Sequence, residues 1–386
     1  MENKKIQVLR PVYRIEECLA EIRQTLECGW TGSGGKCLTF EEAWKIYTGL
    51  PHAHFLNSAT AGLHLAINIL KSYYDWKDGD EIITTSLTFI STNHAILYEH
   101  LTPIFADVDH NALCLDPVSI EQKITPKTRA VLFVGLGGRI GKLQQVSDLC
   151  KRYGLKLILD GAHMAGSRYM TVKDGFTAGM KHVGCESDVA VFSFQSVKNL
   201  PTADGGMICF RDAELDARAR KMSWLGIDKD TYTRSQQDGT YRWRYDVPYL
   251  GFKYHGNSII AAIGLVQLKY LGEDNSRRRM IAARYGAILN REKLWIPEDF
   301  WGHEPSHHIF QIVVENRDEV LVELNKRGIY PGVHYVDNTN YPMYRYGYDE
   351  SRFSQIVSAK LLTLPLHLEM TDEDVIRVAE TVNGIV

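Results

Sequence analysis

The feature that most constrains this chain is an alternation. Short β-type apolar runs, EIITT (81–85), TPIFAD (102–107), RAVLFV (129–134) and LKLILD (155–160), are separated by helix-length segments such as NHAILYEH (93–100) and KLQQVSDLCKRY (142–153). Strands joined in this way pair mainly in parallel, which predicts a sheet covered by helices on both faces. Two further runs, DVAVFSF (188–194) and GMICF (206–210), flank the stretch FSFQSVKNLPTADGGM, so one lysine, Lys198, falls in a strand-to-strand connection.

In open sheets of this kind, ligands sit at the carboxyl ends of the strands. Asp160 closes the LKLIL strand and His163 follows in DGAHMAG, where Gly161, Ala162, Ala165 and Gly166 leave room for something flat. Taken singly, Asp160 reads equally as a helix cap or a satisfied core carboxylate, His163 as structural and Lys198 as a solvated surface charge. TAGLHLAINILK (60–71) puts Leu63, Ala66, Ile67 and Leu70 on one face behind the cap formers Asn57 and Ser58, which predicts a buried-faced helix starting from a loop.

Together these residues are the parts of a pyridoxal phosphate site. A lysine forms the Schiff base with the aldehyde and carries protons, and a carboxylate keeps the pyridine nitrogen protonated so that the ring accepts electrons. A helix start at Ser58, Ala59 and Thr60 offers N–H groups and a positive dipole end to the phosphate. Phe89, in LTFIST, is either a stacking partner for the ring or a core aromatic of a strand.

Length and composition bound the alternatives. At 386 residues the chain exceeds what one core normally serves, so a large domain (1–250) and a smaller α+β unit (251–386) are expected, the latter built from HHIFQIVVEN, RDEVLVELNKRG and EDVIRVAETV. A net charge of −3 leaves no basic field for nucleic acid or an anionic membrane. The seven cysteines (18, 28, 37, 114, 150, 185, 209) show no C-x-x-C spacing and read as reduced thiols of a cytoplasmic protein. MENKKIQVLR has no apolar core of a signal peptide, and no run reaches the ~18 apolar residues of a membrane span.

Two pattern matches fail on inspection. TGSGGKC (31–37) lacks the first glycine of a phosphate loop, Trp30 standing there, and has Cys37 in place of its Ser or Thr. HEPSH (303–307) cannot hold zinc from one helical face with Pro305 inside it, and no metal site is expected. Residues 212–250 turn polar and aromatic and read as an irregular, functional excursion. The helix predicted from 257 is apolar on several faces (Ile259, Ile260, Ala262, Ile263, Val266, Leu268), through burial against a second chain or packing within the monomer.

Across nearly the whole chain, NSATAGLHLAI, GDEIITTSLTFIST, ILDGAHMAG, VFSFQSVKNLPTADGGM, GFKYHGNSIIAAIGLVQL, RGIYPGVHY and LPLHLEMTDEDV occur in the order found in one family. The sequence resembles the sugar-nucleotide aminotransferases of the DegT/DnrJ/StrS type. That resemblance implies the aspartate-aminotransferase fold (fold type I), with a large, mixed, mostly parallel sheet domain and a smaller C-terminal α+β domain. It implies Lys198 as the Schiff-base lysine, Asp160 as partner of the pyridine nitrogen and His163 beside the ring hydroxyl. Ala59, Thr60 and Ser193 match phosphate binders, Phe89 the stacking position, and Lys253, His334 and Tyr335 substrate contacts.

The family is homodimeric, and its GFKY segment reaches the neighbour's phosphate. Relatives commonly carry Asn after this tyrosine where His255 stands here, so His255 or Asn257 takes that contact. Relatives also carry a histidine at Gly135, and the role of the Gly135 to Gly138 loop stays open. The implied activity moves an amino group from L-glutamate to a nucleotide-linked keto-sugar. Family frequency favours dTDP-4-keto-6-deoxyglucose in surface-polysaccharide (O-antigen) synthesis over amination at C3. The family's 3-dehydratases place histidine where Lys198 stands, and a non-catalytic regulatory protein on the same fold is the alternative of another class.

Overall fold

The computed structural model describes residues 4–173, 176–229, 231–235 and 243–386. Its centre is a seven-stranded sheet: β1 (His54–Leu56), β2 (Glu81–Thr84), β3 (Thr102–Phe105), β4 (Thr128–Val134), β5 (Lys156–Asp160), β6 (Val189–Ser193) and β7 (Gly206–Phe210). The spatial order is β1-β7-β6-β5-β4-β2-β3. Neighbours pair in parallel except at β7, which runs antiparallel to both β6 and β1. The expected mostly parallel sheet is therefore present, with β1 as a strand too short to show a period of its own.

Both faces of the sheet are covered, and the strand sequences say why. Along β4, Ala130, Leu132 and Val134 face one core while Val131 and Phe133 face the other. Alternation without a polar face is what a strand buried on both sides requires. On the first face lies helix α1 (Ala59–Tyr73), whose Leu63, Ala66, Ile67 and Leu70 pack against Leu132, Ile158, Val191 and Ile208. On the second, Leu143, Val146 and Leu149 from the helix Leu143–Tyr153 meet Leu157 and Leu159, together with Phe40 and Trp44. Each fully buried side chain of this size contributes roughly 1.5–3 kcal/mol.

A separate core holds Ile6, Tyr285, Phe310, Ile312, Leu362, Leu364, Val375 and Val378. It is built on an antiparallel pair, Phe310–Val313 with Leu361–Leu364, flanked by the helices Arg317–Lys326 and Asp372–Asn383. The second of these starts with a capping box between Thr371 and Asp374. The 31-residue helix Ser258–Ile288 joins the two cores: Ala261, Leu268 and Leu271 lie in the sheet core, Ile281, Ala282 and Tyr285 in the other. Ala262, Val266 and Leu268 are buried within this chain, whereas Ile259, Ile260 and Ile263 stay half-exposed.

The expectation of an irregular excursion over 212–250 is corrected in part. Ala213–Met222 is a helix, capped by the Asp212 carboxylate accepting the N–H groups of Glu214 and Leu215. Its acidic first turn and basic last turn match the helix dipole, a signal present in the sequence. Thr231–Ser235 is a further short helix, and positions 230 and 236–242 of that stretch lie outside the described residues. TGSGGKC runs into the helix Gly35–Thr48 behind a Gly34 cap, and HEPSH is irregular, with Glu304 bridged to Arg168. All seven cysteines are free. Among the described residues no helix is long and apolar enough to cross a membrane.

Candidate active site

The carboxyl ends of β4, β5 and β6 and the start of α1 converge on one cavity of about 390 Å³. Two glycines make that convergence possible. A Cβ at Gly206 would lie 2.6 Å from the Ala59 nitrogen, and one at Gly62 would lie 2.7 Å from Val191, so only glycine lets β7 and β6 press against the first turns of α1. Ser58 caps the helix, its hydroxyl accepting the Ala61 N–H at 3.1 Å. The remaining first-turn N–H groups face the cavity end, a ready anion site.

The structure brings nine of the sequence candidates to this cavity: Ala59, Thr60, Phe89, Asp160, His163, Ser193, Lys198, His334 and Tyr335 all line it. Lys198 sits in the connection from β6 to β7, with its N–H bonded to the Gln195 carbonyl at 2.8 Å. Its neighbour Asn199 is buried and donates to Asn275 Oδ1 (2.7 Å) and the Ser306 carbonyl (2.8 Å), anchoring the loop to the long helix. Desolvation lowers the Lys198 ammonium to about 8, against the opposing pull of Asp160. The amine is thus available as a nucleophile and base near neutral pH.

Asp160 is buried at the end of β5. Thr92 donates to Oδ2 at 2.7 Å and the Ala162 N–H to Oδ1 at 3.1 Å. Burial raises its pKa above the ordinary carboxylate value, while these two donors and Lys198 pull the other way. Phe89 is not a strand residue: it stands just before the helix Ile90–Tyr98, is 54 % exposed, and its ring centre lies 5.7 Å from that of Tyr335. An aromatic held this way is free to cover a flat ligand.

His163 receives the Gly137 N–H on Nδ1 at 3.2 Å and meets the Tyr335 hydroxyl through Nε2 at 3.0 Å. Burial, then the charge of Lys198, holds it well below the usual imidazole range and so neutral. Gly135 has a direct explanation: a Cβ there would lie 2.0 Å from the Met164 sulfur, so Met164 fills the space that a larger residue at 135 would take.

Lys253 and His255 line a different cavity, of about 330 Å³, together with Trp30, Trp224 and Tyr232. The Lys253 ammonium lies 3.3 Å over the Trp224 ring, and His255 Nδ1 donates to the Gly256 carbonyl at 2.7 Å. Asn257 caps the long helix, its Oδ1 accepting the Ile260 N–H at 3.0 Å. Thr92 and Asn199 are not among the candidates read from the sequence, which leaves the role of Gly137 and its loop open. Thr92 stands three residues after Phe89, but only the sheet order brings it to Asp160. Asn199, adjacent to the lysine, was the one with a visible signal.

The donor set fits pyridoxal phosphate. Lys198 would hold it covalently, Asp160 would face its ring nitrogen, Phe89 would cover one face, and the start of α1 with Ser193 would take the phosphate. A mostly parallel sheet with one antiparallel strand, a long helix shared by two cores and this site define a fold type I pyridoxal-phosphate-dependent transferase. More narrowly, residues 13–383 match the model of the DegT/DnrJ/EryC1/StrS aminotransferase family, and the chain belongs to that family. Its members depend on pyridoxal phosphate.

The chain is 34 % identical over 385 residues to the spore coat polysaccharide biosynthesis protein SpsC of Bacillus subtilis, covering 96 % of this chain and 95 % of that protein. It resembles the crystal structure of the aminotransferase TlmJ from Streptoalloteichus hindustanus with a TM-score of 0.87 at 31 % identity, over 99 % of this chain and 98 % of that one. A second similar structure is DesI, solved in the presence of its TDP-sugar product, with a TM-score of 0.83 at 26 % identity over 99 % and 93 % of the two chains.

Proposed function

We propose that this aminotransferase transfers an amino group from L-glutamate to a keto-sugar carried on a nucleoside diphosphate, in the cytoplasm, for surface-polysaccharide synthesis. The observation that carries the reading is the convergence of a desolvated lysine, a buried carboxylate and a helix N-terminus on one open cavity. The bound cofactor supplies the carbonyl that takes up the amino group and the ring that accepts electrons. Lys198 would hold that cofactor and take up the proton of the donor carbon; Asp160 would hold the ring-nitrogen proton; the start of α1 and Ser193 would fix the phosphate. Lys198 also disfavours dehydration on this scaffold and a purely regulatory role.

We take residues 1–250 as the cofactor domain and 251–386 as the long helix with the smaller domain. The chain acts as a homodimer with shared sites: the cavity of Trp30, Trp224, Lys253 and His255 faces the neighbour's phosphate and nucleotide, offering aromatic rings and a cation to them. His255 makes the phosphate contact in preference to Asn257, whose side-chain oxygen is engaged as a helix cap. The resemblance to DesI, solved in the presence of its TDP-sugar product, supports a dTDP-linked sugar, and family frequency favours a 4-keto-6-deoxy sugar over a 3-keto sugar. A panel of dTDP-, UDP- and GDP-linked keto-sugars, incubated with glutamate and followed by mass spectrometry, tests it. Product with a mass of the amino sugar from the dTDP-4-keto substrate is expected; no amination of any panel member would overturn the proposal.

A further inference from the structure

We propose that the Gly137 peptide sets the direction of a short hydrogen-bond relay, Gly137 to His163 to Tyr335, which makes Tyr335 a donor toward the carbonyl oxygen exchanged in both halves of the reaction. This role rests on the transaminase reading above.

The Gly137 peptide is pinned from two sides. Its N–H points to His163 Nδ1 at 3.2 Å, and its carbonyl accepts the His308 N–H at 3.0 Å. The left-handed backbone at Gly137 (φ 71°, ψ 4°) gives the peptide this orientation. From the other side, the Ser306 hydroxyl holds the His163 carbonyl at 2.6 Å, so the ring is fixed against the loop.

A ring nitrogen that accepts a hydrogen bond carries no proton, so the neutral His163 bears its proton on Nε2. A doubly protonated ring would set two N–H groups against each other at Nδ1, and burial opposes it as well. Nε2 therefore donates to the Tyr335 hydroxyl oxygen at 3.0 Å. That direction leaves the Tyr335 O–H proton pointing elsewhere. The hydroxyl makes no other hydrogen bond to the described residues, and Tyr335 lines the cavity that contains Lys198. An occupant must then present an acceptor or leave a buried donor unmade.

Condensation of an amine with a ketone expels the carbonyl oxygen as water, both hydrogens of which derive in balance from the amine nitrogen. Tyr335 has only to stabilise the charge developing on that oxygen and keeps its own proton. Burial, then the Asp160 charge, keeps the phenol protonated well beyond its usual range. In the other half-reaction the exchange runs in reverse, a water oxygen becoming the carbonyl oxygen of 2-oxoglutarate while its two hydrogens return to the amine nitrogen, so both half-reactions use the donor.

Two measurements test the relay. On cofactor-free protein labelled with [15N]histidine, two-bond proton–nitrogen correlations, assigned by the loss of one ring in His163→Gln, should show His163 as the Nε2–H form; the Nδ1–H form would overturn the proposal. In holoenzyme, Tyr335→Phe should slow both half-reactions about 100-fold. It should bring the isotope effect with [2-2H]glutamate toward unity, because carbonyl exchange then limits the rate, and leave the pH midpoint of the cofactor absorbance in place. An undiminished isotope effect, or a shifted midpoint that marks donation to the cofactor itself, would overturn it. If the protein bound no pyridoxal phosphate, the transaminase reading and the assigned role of Tyr335 would fail, whereas the tautomer measurement would still decide the relay.

Discussion

At the scale of single residues, the site depends on how burial sets proton affinity. Lys198 has a midpoint of about 8, so the neutral amine grows as pH rises through that value. The negative charge of Asp160 stabilises the ammonium, and removing it should lower the midpoint. Uptake of pyridoxal phosphate by cofactor-free protein should accordingly accelerate through pH 8 and level off above it, and Asp160→Asn should reach its plateau at lower pH. Turnover by Asp160→Asn should fall by orders of magnitude while the cofactor still binds through its phosphate. A glycine matters equally. Gly138 has φ 90°, and a Cβ there would lie 2.3 Å from the Ser306 hydroxyl and 2.9 Å from the His163 carbonyl. Gly138→Ala should cost about 1–3 kcal/mol from backbone strain alone, visible as a lowered Cm in urea unfolding with little change in m.

At the scale of elements, what the sequence made legible followed from period and caps. The strands 81–84, 102–105, 128–134, 156–160, 189–193 and 206–210 are short with apolar centres, and each lies where its apolar run predicts. β1 and the hairpin Arg168–Lys173 with Phe176–His182 escaped notice, because three residues carry no period and the hairpin sequence is mixed in polarity. Nine site candidates share a cavity because strand ends (Asp160, Ser193), helix starts (Ala59, Thr60, Phe89) and the loops of His163, Lys198, His334 and Tyr335 converge there; Lys253 and His255 form another with the loop at Trp30, a juxtaposition that no local pattern encodes. Their separation motivates a mixing experiment. In a heterodimer of Lys198→Ala and His255→Ala subunits, one site collects both defects and the other has none. Random exchange should recover about a quarter of wild-type turnover, half the dimers being mixed with one intact site each. No recovery after demonstrated subunit exchange, from two variants that are each inactive, would contradict the shared site.

At the scale of the whole molecule, the fold buries histidines in the neutral state. Burial lowers His307, His334 and His367 to about 4 and His182 to about 3. Their folded values lie below the unfolded value of about 6.5, so below that pH the unfolded chain binds protons that the folded one refuses. Stability should therefore decline as pH falls from about 6.5 toward 4, with the melting temperature dropping over that interval and little affected by these groups above pH 7. A flat melting temperature across the interval would refute the assignment of these rings as buried and neutral. That Lys198 carries the cofactor is tested most directly by reduction of the holoenzyme with borohydride followed by peptide mapping. One pyridoxyl-modified peptide, containing Lys198, is expected, with its loss in Lys198→Arg and turnover reduced roughly a thousandfold or more. A modified lysine elsewhere in the chain, or no modification of a protein that is nonetheless active, would contradict it.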